Sequence, residues 1–100
     1  MTRKKSNDAT GRPVVVTTAH RGVFFGYAKD TDGPQITLEQ ARLAIYWSSD
    51  VQGFMGLASK GPTSGCRIGP PAIITLRDIT SVLEVTPEAE EAWLKAKFQM

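Results

Sequence analysis

Two runs of β-branched and aromatic residues open the patterned part of the chain, VVVTTAH from Val14 and GVFFGYAKD from Gly22. Such residues suit a pleated surface, and the few positions between the runs include Gly22, which tolerates the positive φ of a short loop. The pattern therefore predicts an antiparallel hairpin. Asp30-Thr31-Asp32-Gly33-Pro34 then gathers turn formers and ends the second strand. A calcium loop is excluded, because its acidic twelfth ligand is out of register.

The middle of the chain is ambiguous. ITLEQARLAIYW (36–47) carries a capping box in Thr37 and Gln40 and a helical stripe in Leu38, Ala41 and Ile45. It also echoes ITLRDITSVLEV (74–85), a strongly β-branched segment with the same Ile-Thr-Leu opening. Both are read as strand, break, strand, with a helix as the competing reading of the first. After Val85 the signal is sharper. Thr86 can cap a helix, Pro87 suits its first position, and Glu88 meets the positive end of the helix dipole. Ala89, Ala92, Trp93 and Ala96 share one face, which places Trp93 against the sheet, and Lys95 and Lys97 lie near the helix end.

These elements give an α+β fold: a small antiparallel sheet of five to six strands packed by a C-terminal helix, with a long Gly/Pro-rich loop. A chain of 100 residues supports one core. Residues 13–100 are expected to form a single domain and residues 1–12 a disordered basic tail. That tail holds Arg3, Lys4, Lys5 and Arg12 against Asp8, which accounts for the small net charge of +2. A near-neutral body argues against a face devoted to duplex nucleic acid. No apolar run approaches the roughly 20 residues of a membrane span, and no apolar stretch follows the basic N-terminus, so a cytoplasmic location is expected. With one cysteine and one histidine, an internal disulfide is impossible and neither a metal nor another cofactor is expected.

The segment Ser48–Ala72 holds five of the nine glycines and Pro62, Pro70 and Pro71, a density of breakers that predicts no regular element. Glycine is costly to order, so such a loop implies unusual backbone angles or close approach to a ligand. Lys60, Thr63, Ser64 and Arg67 interleave with Gly61, Gly65 and Gly69, offering cations, hydroxyls and backbone N–H groups to an anion. The spacing is not that of a Walker loop. Phe54 adds a flat face on which a nucleobase could stack, with core packing as the alternative. Arg42, just before an apolar stretch, is either a snorkelling side chain or a pocket arginine. Nothing in the sequence orients Cys66 and His20 as a catalytic pair. A binding role without catalysis is expected.

The segments RGVFFGY, ARLAIYWS, GFMGLASKGPTSGCRIGP and ITLRDITSVLEVTPEAEEAW resemble a family of small phage-encoded proteins, over Val14 to about Trp93. That family is in turn similar to the Thoeris anti-defence sponges, which sequester a cyclic ADP-ribose signal. The resemblance implies a homo-oligomer in an infected or lysogenic bacterial host, holding a small phosphorylated nucleotide at a protomer interface. It implies Phe54 as the stacker, Ser64 as a polar contact and Arg42 as an anion contact; a further arginine falls on Arg67 or Arg77. The competing function is a small β-domain for single-stranded nucleic acid, using Phe24, Phe25 and Tyr27 with the basic tail.

Overall fold

The computed structural model describes residues 11–19 and 22–96. Strands β1 (Arg12–Thr18), β2 (Val23–Ala28) and β3 (Gln35–Tyr46) form an antiparallel meander. A 3-10 turn (Ser49–Val51) and helix α1 (Gly53–Ser59) follow, then β4 (Arg67–Ile68), β5 (Ala72–Arg77), β6 (Ile79–Glu84) and helix α2 (Pro87–Lys95). The sheet runs β4-β3-β2-β1-β6, and β5 also pairs with β3. The hairpin is as the pattern predicts, with Val15 opposite Phe25; His20 and Arg21 at its tip lie outside the described residues.

The ambiguous segment is a strand rather than a helix, and its expected break is a bulge. Gln40 takes a φ of 52°, and the register with β5 shifts between Leu38 and Ala41. Each half of β3 serves a different neighbour: Gln35 to Ala41 pairs with β5, and Ala44 and Tyr46 pair with β4. The capping-box pattern was outweighed by these cross-strand partners, since a short amphipathic run has no strong preference of its own. The second copy breaks at Asp78, φ 58°, where β5 on one sheet edge passes directly into β6 on the other.

Both faces of the meander are covered, which is why Val14, Val15 and Val16 are all buried and read as an unbroken apolar run. Val14, Val16, Ile36, Leu38 and Leu76 fill one side. Val15, Phe25, Tyr27, Leu57, Ile68 and Trp93 fill the other, beneath the helices. Trp93 lies flat on Phe25, ring centroids 4.9 Å apart, and its indole N–H donates to the Leu57 carbonyl at 3.0 Å. The predicted cap is formed: the Ala89 N–H donates to Thr86 Oγ1 at 3.0 Å, with Pro87 in the first turn. Thr86 Oγ1 also donates to the Ser59 carbonyl, tying the start of α2 to the end of α1. Lys97 lies outside the described residues.

Two expectations are corrected. Residues 48–72 are not one long loop, because they include α1, the 3-10 turn and β4. Three of its glycines, Gly56, Gly61 and Gly65, serve close packing within the protein. A Cβ on Gly56 would stand 1.6 Å from the Val51 carbonyl oxygen, and one on Gly61, at φ +84°, 2.6 Å from Ala92 Cβ. Residue 12, expected within the tail, instead belongs to the sheet. Arg12 opens β1 and its guanidinium meets Glu84 at 3.1 Å and Thr31 at 2.7 Å; residues 1–10 lie outside the described residues.

Candidate functional site

The six residues singled out for ligand contact do not converge. Arg42 is buried, and its guanidinium is engaged by the fold itself. It donates to the carbonyls of Gly69 at 2.6 Å, Trp93 at 3.2 Å and Ala96 at 2.9 Å. The last two cover the C-terminal end of α2, where a cation meets unsatisfied carbonyls and the negative end of the dipole. Burial lowers the pKa of this guanidinium. Arg42 therefore fastens β3, the turn before β5 and α2 to one another.

Thr63 and Ser64 line a cleft of about 430 Å³ against the end of α2, with Ile68, Ala92 and Lys95 on its walls. Its polar rim is not simply cationic. The Ser48 hydroxyl donates to the Asp50 carboxylate, and Thr63 Oγ1 donates to the same oxygen at 3.4 Å. These bonds, Ser48's foremost, hold the Asp50 carboxyl below its ordinary range. A carboxylate beside Thr63 opposes a phosphate there. Lys60 is exposed just after α1, and Arg67 is exposed on β4 opposite Tyr46. Of the run from Lys60 to Arg67, Thr63 and Ser64 line this cleft while Lys60 and Arg67 are not among its lining residues. Arg77, the other candidate for a final arginine, is exposed on β5 opposite Gln35.

Phe54 stands elsewhere. It is half-buried in α1, packs against the core beneath the helices, and forms part of a second cleft of about 480 Å³ with Trp47. The cleft lies where α1 covers the ends of β1 and β6, and its polar side is made by Thr17, Thr80 and Ser81. Thr17 Oγ1 is 2.7 Å from Thr80 Oγ1 and hydrogen-bonded to Ser81 Oγ. No charged residue is among the described residues of its lining. Both clefts have the volume of small-ligand sites, but of the two only this one sets aromatic side chains beside hydroxyls. Trp47, Thr17, Thr80 and Ser81 were not foreseen. Thr17 ends an apolar strand and Ser81 sits in a β-branched one, and the only sequence signal was a hydroxyl at a position where alternation would place an apolar side chain.

Among the described residues no three or more His, Cys, Asp or Glu side chains are grouped to hold a metal ion. Cys66 is buried, and His20 lies outside the described residues. No helix is long and apolar enough to cross a membrane. The family model for a domain of unknown function (DUF6948) matches residues 11–93, which takes in all six strands, α1 and most of α2. No curated protein and no solved structure matches the chain.

Proposed function

The chain belongs to the DUF6948 family, and we propose that it is a non-enzymatic binding protein that captures a small nucleotide and holds it unchanged. The observation that supports this reading is the cleft of Phe54 and Trp47 with its hydroxyl side. A planar base has aromatic side chains to stack on, and the described residues of the lining, which carry no charge, suit the nucleoside part of the ligand. The phosphates then project from the mouth toward cations outside the described lining. A second copy of the chain is the source that the resemblance to the sponge proteins implies. A cytoplasmic sponge against a cyclic ADP-ribose or cyclic nucleotide signal is the role these features would serve.

The test is retention. The protein is incubated with cyclic ADP-ribose isomers and cyclic dinucleotides, freed of unbound ligand and denatured, and the released compound is identified by mass spectrometry. One compound retained intact is the expected result. Phe54→Ala and Trp47→Ala should each cut retention about tenfold or more while the fold persists, since one base–aromatic stack contributes roughly 1–3 kcal/mol. A chemically altered compound would show an enzyme, and no retained compound would end the nucleotide reading.

Single-stranded nucleic acid remains the second reading, on altered residues. Phe25 and Tyr27 are buried under α2 and unavailable to bases. Tyr46 is exposed directly across from Arg67, an aromatic face beside a cation. Salt-sensitive oligonucleotide binding that is lost in Tyr46→Ala would favour it.

A further inference from the structure

The hydroxyl side of the Phe54–Trp47 cleft has a chemistry that aromatic stacking does not explain. Thr17 is buried at the end of β1, between β2 and β6, and it is the hub of the cluster. Strand pairing brings it there: Thr17 lies directly opposite Ser81, and Thr80 is adjacent along β6. A hydroxyl at such a position costs stability unless it is hydrogen-bonded, and the three satisfy one another only in part.

Each hydroxyl carries one proton and two lone pairs. Two mutual bonds among three hydroxyls therefore leave one proton and four lone pairs for a ligand. The cluster is an uncharged, acceptor-rich surface with a single donor. A phosphate, which offers only acceptors, finds one donor among these three hydroxyls and no cation among the described residues of the lining, so the cluster serves it poorly. A planar base alone leaves most of these lone pairs unmatched. A vicinal diol both donates and accepts, and two adjacent hydroxyls could give two protons to the cluster and take its spare one.

We propose that Thr17, Thr80 and Ser81 bind the ribose 2′,3′-diol of a nucleoside whose base stacks at Phe54 and Trp47, and so select ribose over deoxyribose. This rests on the binding reading above and narrows it to ligands with a free ribose diol, which cyclic ADP-ribose carries and cyclic nucleotides esterified at the 2′ or 3′ oxygen lack. Sites built to hydrogen-bond a hydroxyl discriminate against the analogue lacking it; here the discrimination falls on the buried Thr17 and the half-buried Ser81, since Thr80 is exposed and can turn to water.

The experiment follows binding by NMR shift changes, using adenosine and guanosine, their 2′-deoxy forms and the free bases as probes. The wild type should bind at least one ribonucleoside about tenfold or more tightly than its deoxy form. Thr17→Val preserves the shape of the side chain and removes the hub oxygen. It should bring ribo and deoxy forms within about threefold of each other, through a loss of affinity for the ribonucleoside rather than a gain for the deoxy form. Ser81→Ala, at a less buried position, repeats the test should Thr17→Val fail to fold. Equal binding of ribo and deoxy forms by the wild type overturns the ribose assignment and leaves the binding reading standing. Binding of none of the probes, with the fold intact, removes the nucleoside site and the assignment together.

Discussion

Arg42 shows how a charge in an apolar stretch can belong to the fold. Its three carbonyl partners come from two chain segments, the turn before β5 and the end of α2. Arg42→Met should lower stability by about 3 kcal/mol, because it strands buried carbonyls that now receive charged donors. Arg42→Lys should recover little of that, since one ammonium cannot replace a planar fork. Urea unfolding measures both. A stable Arg42→Lys protein that no longer retains ligand would instead return the guanidinium to the binding site. Tyr27 makes the second residue-scale case. Its hydroxyl donates to Glu90 at 2.5 Å, and burial first, then Glu90, raises its pKa well above the ordinary phenol value. The folded protein therefore keeps this proton where the unfolded chain loses it. The contribution is intact below about pH 10 and declines as pH rises further. Urea midpoints measured from neutral pH to about pH 11 should fall more steeply for the wild type than for Tyr27→Phe. Parallel curves would show that the bond has no part in alkaline unfolding.

Elements were legible where their signal was local. The β1–β2 hairpin rests on adjacent strands, and α2 on the run Thr86-Pro87-Glu88, so both could be read from a few neighbouring residues. Helix α1 could not, because two glycines offset the helix formers Met55, Leu57 and Ala58 in GFMGLAS, and the close approach of Gly56 to the Val51 carbonyl leaves no trace in the local pattern. Glycine there looked like loop chemistry, while in the fold it allows a contact no other residue could make. The bulge at Gln40 was foreseen as a break but not as a change of partner. Pairing also ranks the elements by persistence. β1 and β2 are hydrogen-bonded along both sides, whereas β4 is two residues at an edge. Amide hydrogen exchange should be slowest at Val14–Val16 and Phe25, and fastest among the strands at Arg67 and Ile68. Equal protection of β4 and β1 would contradict that order.

At the level of the whole molecule, the candidate site was half legible. Phe54 was chosen for its side chain and does line a cleft, but Lys60, Thr63, Ser64 and Arg67 were grouped by nearness in sequence, and the fold separates them from it. The hydroxyl cluster shows the reverse: Thr17 and Ser81 stand 64 positions apart and become neighbours only when β6 pairs with β1. Local pattern carries no trace of such a meeting. The same topology bears on how the chain comes to be folded at all. One run, residues 72–84, pairs with both edges of the β3-β2-β1 meander and crosses between them at Asp78, with β4 covering the rest of the β3 edge. A chain that has left the ribosome only as far as Tyr46 can form its meander, yet it presents two open edges able to recruit strands from other chains. Closing them requires long loops to be ordered before any pairing repays that entropy, so this closure should be the slow event of folding. The interval between making Tyr46 and making Glu84 is therefore the protein's most exposed moment, set by topology and independent of its final stability.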